Sequence, residues 1–464
     1  MREVLAEFSR LLSIPTTVAH TEGREECARL IAAMLSKRGF ATRLVEAPGA
    51  APLVVGKLDA GADRTLALYC HYDAQPVDQP DWLNDPWTPT LYDGVAENGA
   101  LRVRPDDVKD WTAHDYRVYA RSTSDDKAPV QVLCSALDKL GAAPAVNLLF
   151  VVEGEEECGS PNFRQLLTQV PETDDVLGWL ILDGPVHPSR RQQVIFGARG
   201  VVTLQMTIYG PTRTLHSGHY GNFVPNPAMR LVHLIASMRD PLGHVTVEGF
   251  GDAVAVLGDE EKQAFAKLPD IGGEMLAAVN VHGPEDGSSS FAEAVARPAI
   301  NLHGIQAGHV QQEATNAIMQ TARSSMDIRL VPDQTVADVQ RAVTEHVKRQ
   351  GFHVIEREPT PEELRSNEKV VRMQWGSGYE PARTPLSSEF ARALIKAVGT
   401  DVLVNPMLGG SVPIRKIVSQ SDVPVAILPI ANHDNNQHGA NENIRIANLS
   451  DGIETYARLL SSFS

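Results

Sequence analysis

Three apolar, β-rich runs in the chain each deliver an acid or an imidazole at their carboxyl end. LALYC is followed by His71, Tyr72 and Asp73; NLLFVV by Glu153, then Glu155, Glu156 and Glu157; GWLIL by Asp183. A further cluster, Ser124-Asp125-Asp126-Lys127, directly precedes a helical stretch from Ala128, and His438 lies in the polar loop NNQHGANEN after an apolar run ending at Ile430. Gathered in one place, Asp125, Glu156, Glu157 and Asp183 would repel one another. Burying them unpaired would cost of order several kcal/mol per ion and push their pKa values up. Divalent cations remove that penalty. Two imidazoles and three carboxylates suit a pair of Zn²⁺ ions, with Mn²⁺ or Co²⁺ as alternatives because mixed nitrogen and oxygen ligands discriminate weakly among them.

Singly, each motif has an ordinary reading. His-x-Asp is common in turns, consecutive glutamates in solvated helix faces, and Asp-Asp-Lys before a helix in caps. Their joint placement is what matters, because ligands of open α/β sheets gather outside the carboxyl ends of the strands. The elements needed to position them are present. Strand candidates at 65–70, 147–152, 179–182 and 423–430 alternate with helix candidates at 23–38, 128–140, 387–398 and 449–463. That alternation predicts an α/β fold with a central, mostly parallel sheet and flanking helices. After Gly200 the character changes. VVTLQMTIYG and residues 323–330 alternate like strands with one wet face, and 336–350 reads as an amphipathic helix. A smaller α+β insert at 200–385 is expected, with 1–199 and 386–464 forming one domain. The Gly- and Pro-containing stretches 210–227 and 375–385 read as functional loops.

Composition narrows the partners. The 464 residues carry 42 Lys and Arg against 58 Asp and Glu, a net charge of −16, which repels a nucleic-acid backbone. Apolar runs such as 148–152 fall far short of the roughly 20 residues that span a membrane. The first residues, MREVLAEFSRLLSIP, interrupt their apolar positions with charges and read as an amphipathic helix rather than a secretory leader. Cys27, Cys70, Cys134 and Cys158 form no CxxC pair, which suits a reducing compartment. A cytoplasmic protein is expected.

The order HYD, DDK, EGEEECGS, a strand ending in Asp, LHSG, GGS and a late loop histidine resembles the dinuclear zinc metallopeptidase family. That family includes carnosinase-type dipeptidases, aminoacylases, glutamate carboxypeptidase, and acetylornithine and succinyl-diaminopimelate deacylases. The resemblance covers nearly the whole chain. It implies that His71, Asp125 and Asp183 hold one metal and Asp125, Glu157 and His438 the other, with Asp125 bridging and a cis peptide following it. It also implies that Glu156 is the general base and that Asp73 orients His71 by accepting its second N–H. His216, in TLHSGHYGN, would reach the partner subunit's active site in a homodimer formed through the insert, and stabilise an oxyanion there. Arg329, with Gly409, Gly410 and Ser411, would clamp the substrate's free carboxylate.

The implied activity is hydrolysis of a peptide or amide bond next to a free carboxylate. The substrate is a dipeptide, with an N-acyl amino acid or a carboxypeptidase substrate as the alternative. Three departures from the family pattern bear on this. The approach to Asp125 reads ARSTS rather than glycine-rich, Leu408 stands where some carnosinase-like members carry an acid, and the 95–116 segment is long, with Trp111 and His114 placed to overhang the site.

Overall fold

The computed structural model describes residues 1–78, 80–254, 257–287, 290–410 and 423–463. The apolar runs form strands whose two faces are both covered. Along Thr65–His71, Leu66, Leu68 and Cys70 enter one core while Ala67 and Tyr69 enter the other. Along Asn147–Glu153, Leu148, Phe150 and Val152 separate from Leu149 and Val151 in the same way. Burial on both sides is why these strands read as unbroken apolar runs.

They lie in an eight-stranded sheet, ordered Ala41–Val45, Leu53–Leu58, Asn147–Glu153, Thr65–His71, Gly178–Ile181, Val425–Ile427, Gln193–Ile195 and Leu403–Asn405. Its centre is parallel, as expected: Thr65–His71 runs parallel to both neighbours, and Gly178–Ile181 to Val425–Ile427. The whole sheet is mixed, since Ala41–Val45 and Leu53–Leu58 add antiparallel pairs and Val425–Ile427 meets Gln193–Ile195 antiparallel. The link between the first two strands is too short for the crossover that parallel neighbours require. Helices Arg2–Leu12, Thr21–Ser36, Ala128–Leu140, Glu389–Val398 and Ile446–Ser462 cover one face through Phe8, Ile31, Leu133, Leu394 and Leu449. Helix Phe163–Leu167 helps to close the other with Phe163 and Leu166.

A second sheet has five strands, ordered Ala299–Gln306, Thr321–Leu330, Gly200–Tyr209, Val370–Tyr379 and His353–Ile355, antiparallel except for the last pair. Val202, Leu204, Met206 and Ile208 enter its core, while Thr203 and Gln205 face solvent. Helices Pro227–Ala236 and Val336–Arg349 cover the buried face with Leu231, Leu234, Val339, Val343 and Val347.

Two loop expectations change here. Residues 375–379 continue the strand Val370–Tyr379, so a loop begins only beyond Tyr379. Their glycines serve close packing: a Cβ on Gly376 would lie 2.1 Å from Thr203 Oγ1, and one on Gly378 2.9 Å from the Val201 carbonyl oxygen. Within 210–227, Leu215–His216 pairs with Ala317–Ile318 and leads into the helical turn Ser217–Tyr220. The 95–116 segment lies against the first helix, where the Arg2 guanidinium donates to the carbonyls of Pro105, Asp106 and Val108. Trp111 and His114 stack edge-on against Tyr116. The segment touches the His438 loop through Glu97, which accepts from Asn436 Nδ2 at 2.9 Å.

Candidate metal centre

Three strand ends and two loops converge on Asp125. His71 closes the strand Thr65–His71, fully buried, with Nε2 3.0 Å from Asp125 Oδ1. His438 approaches from the other side, its Nε2 3.0 Å from Asp125 Oδ2 and 3.4 Å from Glu157 Oε2. Asp183 follows the strand Gly178–Ile181 and is buried. Two groups of three result, His71 with Asp125 and Asp183, and Asp125 with Glu157 and His438, each offering ligand atoms within 4.8 Å of one another. The peptide bond between Asp125 and Asp126 is cis.

The surrounding residues explain how each group is held. Asp73 accepts the backbone N–H groups of Glu156 and Glu157 at 3.1 and 2.9 Å, fixing the short 3-10 helix Glu156–Cys158. Its Oδ1 lies 3.4 Å from His71 Nδ1, so it spans the imidazole and the turn. Gln75 Nε2 donates to Glu157 Oε2 at 2.7 Å. Fully buried Glu442 accepts from the backbone N–H groups of Ser122, Ser124 and Asp125 at 2.8–3.1 Å, from Ser124 Oγ at 3.0 Å and from Arg121 Nη1 at 2.9 Å. One carboxylate thus shapes the loop that presents Asp125. Sequence reasoning missed Glu442 and Gln75. Glu442 stands within the loop singled out for His438, but nothing local separates it from a solvated loop acid.

The His438 loop is held by charge. Arg117 and Arg445, both buried, donate to Asp434 and to Asp115. His438 itself adopts φ 63°, as do its neighbours Asn436 and Asn441 at 57° and 61°. Asparagine and histidine enter this left-handed region more readily than most residues, and non-glycine residues held there cluster at functional sites.

The electrostatics call for cations. Burial, and then the Asp125 charge, push Glu157 up to about 8 and Asp183 up to about 7. Burial likewise raises Glu156. Hydrogen bonding to Asp125 pushes His438 up to about 9, against its partial burial. The carboxylates therefore resist shedding their protons until positive charge arrives, which is the environment a divalent ion reverses. Asp183 Oδ1 is buried without a hydrogen-bond partner among the described residues. That orphaned oxygen and the nitrogen-oxygen donor set fit two divalent cations on a shared carboxylate.

The remaining predicted residues lie elsewhere. His216 is exposed on the second sheet's side of the molecule, its Nδ1 accepting from the Gly218 N–H and its ring against His219. Arg329, half-buried on Thr321–Leu330, donates from Nε to Asp327 Oδ2 at 2.5 Å. Gly409 offers its carbonyl to Arg199 Nε at 2.9 Å, and Ser411 lies outside the described residues. Tyr379, on the second sheet, is a residue the sequence did not signal: a Cβ on Gly159, just past the Glu156–Cys158 turn, would lie 3.8 Å from its hydroxyl, and burial and the charges of Glu156 and Glu153 raise its pKa.

Fold and site define an enzyme with a two-metal centre seated at the carboxyl edge of an α/β sheet. Residues 67–462 match Peptidase family M20/M25/M40, and the chain belongs to that family of peptide-bond hydrolases. It is 25% identical over 489 residues to the Cys-Gly metallodipeptidase dug1 of Schizosaccharomyces pombe, covering 100% of this chain and 96% of that one. It is 25% identical over 432 residues to the human Beta-Ala-His dipeptidase, covering 88% and 76%. Among solved structures it is similar to an M20 family metallo-carboxypeptidase, Sso-CP2 from Sulfolobus solfataricus, with TM-score 0.78, 25% identity and coverage of 100% and 99%.

Proposed function

We propose that this chain is a dipeptidase whose two metal ions are held by His71, Asp125 and Asp183 and by Asp125, Glu157 and His438. The observation that carries the reading is the pair of ligand groups sharing Asp125, together with relatives named as dipeptidases across nearly the full chain. Zinc is the proposed metal, with manganese or cobalt as alternatives. When bound, the two cations supply Lewis acidity to the scissile carbonyl and lower the pKa of water.

The protein's own groups do the rest. Glu156, raised by burial, takes a proton from the attacking water and passes it to the leaving nitrogen. Asp73 keeps Glu156 and Glu157 in place through their backbone N–H groups. Arg329 and Gly409, Gly410 and Ser411 hold the substrate carboxylate. Residues 1–199 and 386–464 form the catalytic domain, and 200–385 the inserted lid and dimerisation domain.

A homodimer through that insert is supported by its outer strand, Ala299–Gln306, which among the described residues leaves one edge unpaired in the sheet order. Leu302 and Ile305 on that strand, and Met229 and Val232 on the neighbouring helix, are exposed. In such a dimer His216, exposed here, donates to the oxyanion in the partner's site. No helix among the described residues is long and apolar enough to cross a membrane; free Cys27, Cys70, Cys134 and Cys158 support a cytoplasmic setting.

The test is Glu156→Gln. Metal content should stay at the wild-type level while dipeptide turnover falls by about 10²- to 10⁴-fold; retained turnover would sink the reading. A carboxypeptidase or N-acyl-amino-acid deacylase is the second reading, favoured by the similarity to the Sulfolobus carboxypeptidase. Unblocked dipeptides cleaved faster than their N-acetylated counterparts would exclude it.

A further inference from the structure

A cavity of about 560 Å³ lies at the edge of the first sheet, where Gln193 and Asn405 line it, within the range of small-molecule sites. Pro185 and Val186, just past Asp183, and Gly409 and Gly410 also line it, and Phe291 and Val295, on the helix Phe291–Val295, supply an apolar wall. The packing between loop and helix is tight, since a Cβ on Gly409 would lie 3.1 Å from Val295 Cγ1.

Arg199 also lines the cavity, and it is half-buried. Its two described bonds run from Nε to the Gly409 carbonyl at 2.9 Å and from Nη1 to the Arg297 carbonyl at 3.3 Å, so neutral oxygens satisfy it rather than a carboxylate. Burial and the nearby Arg329 charge disfavour its cationic form and outweigh the opposing charge of Asp327. An incoming carboxylate relieves that repulsion. Asp270, the acid on the same wall, is turned to the Gly272 N–H at 3.1 Å.

Consider a dipeptide with its scissile carbonyl beside Asp183 and its carboxylate at Gly409–Gly410. The side chain of its carboxy-terminal residue can then enter the cavity, which both Pro185–Val186, just past Asp183, and Gly409–Gly410 line. We propose that the cavity receives this residue, that Arg199 joins the Gly409–Gly410 loop in binding its carboxylate, and that the side chain is bulky and apolar. The proposal rests on the dipeptidase reading above. Glycine would leave the wall formed by Phe291 and Val295 unfilled and in contact with water.

The metal-loaded full chain, assayed on Ala-Phe, Ala-Leu, Ala-Gly and Ala-Asp, tests this. Ala-Phe and Ala-Leu should exceed Ala-Gly in kcat/KM by at least about tenfold, the scale at which apolar pockets discriminate. Ala292→Trp fills the cavity from the same helix and should cost Ala-Phe and Ala-Leu far more than Ala-Gly, erasing that advantage. Phe291→Ser strips the wall and should flatten the preference in the same direction, so a misfolded Ala292→Trp leaves the test intact. Arg199→Ala should raise KM for every dipeptide about tenfold or more with a smaller change in kcat. Ala-Gly cleaved as well as Ala-Phe, or an unchanged preference for Ala-Phe over Ala-Gly in Ala292→Trp and Phe291→Ser, would overturn the pocket assignment and leave the dipeptidase reading standing. Cleavage of N-acetyl amino acids alone would overturn the dipeptidase reading, and this inference with it.

Discussion

His71 and His438 face the same carboxylate from two different kinds of structure. His71 ends a strand buried on both faces, between neighbours parallel to it, and its imidazole is sealed from solvent. His438 sits on a loop, its side chain 53% exposed and its backbone in the left-handed region. The first half of the site is fixed by the sheet that packs the core. The second is fixed by ion pairs, fully buried between Glu442 and Arg121 at the Asp125 loop, and between buried Arg117 and Arg445 and part-exposed Asp115 and Asp434 at the His438 loop. Sheet-borne geometry survives local insults; charge-borne geometry fails when one partner is lost.

The largest expected effect comes from cutting the loop half at its base. Glu442→Ala leaves the Arg121 charge buried and three N–H groups unmet, and should destabilise the protein by about 3–5 kcal/mol in denaturant unfolding. A loss below about 1 kcal/mol, the scale of an ordinary exposed pair, would break the contrast. Next is Asp434→Asn, which weakens the anchor of His438 without touching a ligand. It should lower the affinity for the ion at Asp125, Glu157 and His438 by about 10- to 100-fold in a metal titration, with a smaller loss at the other. Equal weakening of both ions would show that the halves are not separable.

Tyr69→Phe probes the strand half. It removes the 2.6 Å hydrogen bond to buried Glu153 and should cost about 1–3 kcal/mol of stability while metal stoichiometry stays at two. The smallest effect concerns pH. Burial alone would raise Asp434, but hydrogen bonds from Asn432 and Arg117 and the charges of Arg117 and Arg445 outweigh it and hold the carboxyl well below its usual range. A depressed folded value adds stability above the unfolded carboxylate pKa near 3.9, and that stability is lost as pH falls further. Urea midpoints of chelated protein between pH 5 and pH 3 should therefore drop more steeply for the wild type than for Asp434→Asn.

The same contrast marks what the sequence reveals. The strand-borne residues His71 and Asp183 could be found because double-sided burial writes an apolar run, and the polar residue that ends it stands out. Helix Ala128–Leu140 was legible at both ends, with Pro129 in its first turn and Gly141 closing it at φ 61°. Glu442 and Arg199 left no such trace. Their partners lie far along the chain, and an acid among asparagines or an arginine before a strand has no local signature of burial. Gly376 and Gly378 misled for a related reason: glycine marks both a turn and a place where two backbones approach closely, and only the neighbouring strand tells which.

Glu442 and His438 share one loop, and that loop touches both ligand groups, directly at His438 and through the peptide groups leading to Asp125. Ordering the loop around one ion therefore sets the bridging carboxylate for the other. On the proposed ligand set, the first ion to bind therefore favours the second through the carboxylate and loop they share.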